Sequence, residues 1–130
     1  MKNRLRIAQG LVIIANIALI YLGYGHWRNG LPNVSKVVAD AKASPFFAVG
    51  MKILWVLVSW HWIAFGLIAL PAAFGRKAPN RGVLSLCGLA VLVDAIATFA
   101  GLGLFRANEA LGVAAVALFG AAALYPSPEA

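Results

Sequence analysis

Acidic residues are scarce in this chain. Its 130 residues include four Asp and Glu, against eleven Lys and Arg. There is one cysteine, Cys87, so no intramolecular disulfide can form. Cys87 lies in an apolar run and reads as a small buried hydrophobe. Charge of either sign is thin: 12% of residues are charged, where a soluble domain carries about 25%. No set of Cys, His and acidic residues has metal-ligand spacing, so no metal is indicated. Neither a G-x-S-x-G turn nor a phosphate loop is present, and the sequence indicates no cofactor. The net charge of +7 and pI of 10.2 would suit nucleic acid. No basic face with interleaved aromatics exists, however, which argues against a nucleic-acid partner.

What the chain has instead is apolar length. Hydrophobic residues make up 62% of it, and its mean hydropathy is +0.86. Four apolar segments stand out, at about residues 5–24, 46–74, 83–105 and 109–125. A helix rises about 1.5 Å per residue, so roughly 20 residues cross a hydrocarbon core about 30 Å thick. The expected fold is therefore all-α: one four-helix transmembrane bundle, residues 1–130, with the lipid bilayer as solvent. The N-terminal segment follows Lys2, Arg4 and Arg6, as a secretory signal would. It is longer than the apolar region of a signal and lacks a small-residue cleavage site. It therefore reads as a retained span.

Local signals set the expected helix ends. Ser44 precedes Pro45, an N-cap residue before a proline suited to the first helical position. Gly75 and Pro79 close the second segment, with Pro71 kinking it or marking its last turn. Asn108 and Glu109 offer a cap and a first-turn acid for the fourth, and Pro126 and Pro128 end it. Between Gly25 and Ser44, LPNVSKVVADAKAS places valines and an alanine on one side. This fits a short amphipathic helix on the membrane surface, with Asn33 as its cap, or a solvated loop. The later connections are short, so the second, third and fourth spans are expected to be antiparallel neighbours.

Lys and Arg counts give the orientation. The N-terminus and the 75–82 connection carry Lys2, Arg4, Arg6, Arg76, Lys77 and Arg81. The opposite ends carry Arg28, Lys36, Lys42 and Arg106. The positive-inside rule then places both termini in the cytoplasm of a multi-pass cell (inner) membrane protein.

Polar groups within the spans carry the most information, because an Asp or Lys at a helix centre costs about 2.5–3.5 kcal/mol to insert. They are Gln9 and Asn16 in the first segment, Lys52, Ser59 and His61 in the second, and Asp94 and Thr98 in the third. His61 sits in the stretch SWHWIAFG, between Trp60 and Trp62. An antiparallel hairpin turning near residue 78 puts His61 and Asp94 at equal depth. Asn16 falls near the same plane, and Thr98 is one turn from Asp94. These four form the expected polar centre, either a static clamp between helices or a proton or ligand site. Lys52 is about 13.5 Å from His61 along the axis, on the opposite face, and is expected to snorkel outward. Trp60 and Trp62 point to different sides and provide packing bulk or a pocket wall. His26 is assigned to the outer end of the first helix, away from His61. Ala90, Ala97 and Gly101, with Gly112 and Gly120, permit close helix approach within the chain or between copies.

The leading expectation is a non-enzymatic accessory or interaction subunit. Its partner would be another membrane protein or its own copy. The second is a small oligomeric, proton-coupled transport protein. The third is a membrane enzyme acting on lipid or quinone, with His61 or Asp94 as general acid or base. A transport pathway requires a polar lumen, an enzyme a cleft open to lipid, and an accessory protein a dry centre.

Overall fold

The structure, a computed structural model, describes residues 2–74, 80–104 and 106–125. The helix-ending signals placed on Gly75, Pro79, Pro126 and Pro128, and the charges Arg76 and Lys77, lie outside the described residues. Those residues form α1 (Lys2–Gly25), α2 (Leu31–Asp40), α3 (Pro45–Ala73), α4 (Arg81–Leu102) and α5 (Arg106–Leu124), with no strand among them. Four helical segments are long and apolar enough to cross a membrane: Lys2–Asp40, Pro45–Ala73, Arg81–Leu102 and Arg106–Leu124.

The first boundary differs from expectation. The chain does not leave the helix at Tyr24. It continues into α2 through a π-helical turn, His26–Gly30. Pro32 supplies the reason. It has no N–H for the carbonyl of Arg28 and its ring crowds that carbonyl, so the turn before it widens rather than breaks. Asn33 is not the cap; its amide donates to the Asn29 carbonyl at 3.0 Å. α2 packs along α3 with Val38 buried. It closes with a pair of backbone bonds, Ala43 N–H to Val38 and Lys42 N–H to Ala39, which put Lys42 at φ +49.

α3 starts as its sequence requires. Ser44 Oγ accepts from Phe47 N–H at 3.3 Å and Pro45 fills the first helical position. Asn80 caps α4 in the same way, accepting from Val83 N–H at 3.0 Å. α4 ends at Gly103, whose φ of +74 a side chain would resist. Asn108 does not cap α5. The helix begins at Arg106, and the Asn108 amide reaches back to the Gly103 carbonyl at 2.6 Å.

Packing departs from sequence order. α4 lies along α5, and α1 lies along both α3 and α5, but α3 scarcely meets α4. The antiparallel trio expected of the last three spans is therefore broken open by α1. A short connection fixes only that two helix ends are near; the small-residue faces decide the rest. On α1, Ala8, Val12, Ala15 and Leu19 form a fully buried stripe. α3 offers it Ser59, Gly66, Ala69 and Ala73; α5, rich in buried alanines, packs Leu118 on Gly88 of α4 and sets Gly120 against Leu11 of α1. Close approaches run antiparallel down the seam of α3 with α1 and the π-helical turn. A Cβ at Gly30 would stand 2.5 Å from the Trp55 ring, and one at Gly23 2.6 Å from the Ser59 carbonyl oxygen. The glycines of the expected small-residue stripe behave unevenly. Gly120 faces Leu11, whereas Gly101 and Gly112 face open space.

Candidate functional site

α3 turns different residues toward its two neighbours. Trp55, Ser59, Trp62 and Gly66 recur at helical spacing and face α1 or lie buried beside it. His61, one position before Trp62, reaches across the open seam toward α4. There its Nε2 lies 2.6 Å from Asp94 Oδ2. The Trp62 indole N–H donates to the same oxygen at 2.8 Å. Among the described residues, these are the side-chain hydrogen bonds that join α3 to α4. One carboxylate oxygen thus spans a seam that backbone packing leaves open. With Asp94 ionised, His61 must carry its proton on Nε2, and a single proton serves the pair. The pair is not sealed: the His61 and Asp94 side chains are 36% and 28% exposed. Phe65 and Trp62 set their rings edge-on to the imidazole, at centroid distances of 5.4 and 5.7 Å.

The other expected members of the centre lie elsewhere. Asn16 does not bond to His61 or Asp94. It is buried at Gly66, where its amide donates back to the Val12 carbonyl at 3.0 Å. Its Oδ1 is buried without a hydrogen-bond partner. Equal depth was a poor guide here, because α1 presents Asn16 to α3 a turn and a half from His61. Thr98 satisfies its hydroxyl on its own helix, donating to the Asp94 carbonyl at 2.7 Å rather than to the carboxylate. The tryptophans divide as their spacing requires. Trp62 is buried on Asp94, while Trp60 is 52% exposed and tilted against Trp27. Lys52 is exposed at the α2 end of α3, beside Leu31 and Ser35.

His26 lies at the end of α1, as the sequence placed it, but its contacts with α3 were not foreseen. It does not stand apart from the centre but inserts between tryptophans of α3. Its ring stacks on Trp55 at 3.9 Å with planes 11° apart, and meets Trp62 edge-on at 5.0 Å. The Trp55 indole N–H donates to the His26 carbonyl at 2.8 Å. His26 Nδ1 lies 2.8 Å from Ser59 Oγ, whose own proton goes to the Trp55 carbonyl. A hydroxyl has one proton, so the ring donates through Nδ1, and the neutral imidazole keeps its lone pair on Nε2. The signal was available: a first helix continued in register past Tyr24 carries His26 opposite Trp55 and Ser59.

The result is a polar and aromatic cluster around Trp62, with His26 on one side and His61–Asp94 on the other. Among the described residues no three His, Cys, Asp or Glu side chains are grouped to hold a metal ion. Comparison of the chain with family models, curated proteins and solved structures finds no match.

Proposed function

We propose that the chain is an integral membrane protein that crosses the bilayer four times, through α1, α3, α4 and α5, with both termini cytoplasmic. It acts as a non-enzymatic interaction subunit whose partner is another membrane protein or a second copy. The membrane reading is supported by large apolar side chains exposed on every long helix, among them Ile17, Leu57, Val93 and Val116. In water such a surface would aggregate; in lipid it is solvated.

The observation that carries the functional reading is the single carboxylate oxygen bridging α3 and α4. A polar clamp that sets the spacing of two helices otherwise scarcely in contact suits a subunit whose task is to present a fixed surface. The groove along α1 is lined by apolar and aromatic residues except for Asn16, and no acidic residue lines it or the groove beneath α2, which supports a subunit over a proton pathway. A proton-coupled transporter is the second reading, favoured by the partial exposure of His61 and Asp94.

Carbonate extraction of membranes checks the first statement: the chain should stay with the bilayer. Asp94→Asn and Asp94→Leu separate the other two. The clamp reading expects both variants to weaken assembly, measured by cross-linking of copies or partners, with Leu the worse. If Asn leaves assembly intact but abolishes a pH-dependent flux, the transporter reading replaces it.

A further inference from the structure

One face of α1 carries two grooves that meet at Tyr24. The longer runs between α1 and the far end of α3, with a volume of about 620 Å³, and is bordered by Ile13, Ile17, Tyr21 and Tyr24 of α1 with Leu70 of α3. The shorter, about 390 Å³, continues past Tyr24 to Trp27, Arg28 and Leu31. From Ile13 to Tyr24 a helix rises about 16 Å, and half of a hydrocarbon core is about 15 Å. The apolar groove therefore has the length of one leaflet. Arg28 lies about 6 Å further along the axis, the thickness of a headgroup layer. Tyr24 and Trp27, in edge contact at 6.3 Å, mark the boundary between the two.

Arg28 is an exposed cation at the end of these grooves. Its Nη1 donates to the Tyr24 hydroxyl at 2.9 Å, and its guanidinium lies 5.8 Å from the Tyr24 ring centroid. Among the described residues no carboxylate pairs with it, and neither groove is bordered by an acid. Tyr24 thus fixes the side chain while most of its five donors stay open, a geometry suited to bidentate bonding with a phosphate.

We propose that this continuous face is a binding site for one anionic phospholipid, with an acyl chain in the Ile13–Tyr24 groove and the phosphodiester on Arg28. The site rests on the membrane reading above, and its test separates the two. The full chain, purified in a neutral detergent, is titrated with phosphatidylglycerol and with phosphatidylcholine of the same acyl chains. Bound lipid is counted by native mass spectrometry. Both lipids carry a phosphodiester, but choline cancels the charge of phosphatidylcholine, so the wild type should prefer phosphatidylglycerol about fivefold, the worth of one Arg near net negative charge. Arg28→Gln should erase that preference, and Lys36→Gln, on the exposed face of α2, should keep it. Ile17→Trp, at a position 65% exposed and tolerant of bulk, should fill the groove and lower retention of both lipids. Equal retention by the wild type, a preference that survives Arg28→Gln, or retention unaffected by Ile17→Trp would each overturn the site. A chain released from membranes by carbonate would instead remove the membrane reading, and the site with it.

Discussion

The α1–α3 seam and the α3–α4 seam are held by opposite means. Along α1–α3 the helices approach until a methyl group would not fit at Gly23, and the π-helical turn comes as close to α3 at Gly30. Attraction there comes from many close contacts, each small. Along α3–α4 the backbones stand apart and one carboxylate oxygen joins them. The first seam tolerates no added volume. The second tolerates volume but not the loss of a single atom's bonding. The second seam is also the more open one: the His61 and Asp94 side chains that bridge it are 36% and 28% exposed.

The largest effect is expected where the tight seam is overfilled. In Gly23→Ala the new methyl would sit 2.6 Å from the backbone oxygen of Ser59, which cannot rotate away. The helices must separate, at a cost of about 2–3 kcal/mol. Thermal unfolding in detergent should show it, and an unchanged midpoint would mean the seam is not as close as described. Asp94→Leu attacks the other seam. It leaves the Trp62 and His61 ring nitrogens without their acceptor and should cost about 1–2 kcal/mol. A cross-link between cysteines placed on facing turns of α3 and α4 should form more slowly in that variant. It should form at the wild-type rate in Gly23→Ala if the two seams are independent. Ser59→Ala is smaller, about 1 kcal/mol, because it removes the acceptor of His26 Nδ1 while the stack on Trp55 remains. The indole fluorescence of Trp55 should report the loosened ring.

Helix number and helix type were legible in the sequence because apolar runs of span length leave little else to build. The pairing of residues 61 and 94 was accessible because a short hairpin relates depth on two helices by simple addition. The arrangement around them was not. Asn16 meets α3 at Gly66, a turn and a half from His61, so counting residues from the helix start misjudged its height; and depth carries no azimuth, so Thr98 still bonds its own helix. Sequence order misled in the same way: α1 lies between α3 and α5 because of small-residue faces that many alanines could have provided equally. The contacts of His26 were lost through one boundary. Ending the first helix at Tyr24 hid the π-helical turn that Pro32 induces, and with it the stack on Trp55.

The contrast between seams also bears on how a glycine is read. Gly10 lies on the same helix as Gly23, yet a Cβ there meets nothing within 4 Å. If close approach is what makes Gly23 necessary, the same substitution at the two positions should have opposite signs. Gly10→Ala removes the helix penalty of glycine without a clash, so it should stabilise the protein by about 0.5–1 kcal/mol. The measurement is the unfolding midpoint in the same detergent, side by side with Gly23→Ala. Should Gly10→Ala destabilise instead, another surface must press on that face of α1, from a partner or a second copy. The tight packing now assigned to the α1–α3 seam would then extend beyond the single chain.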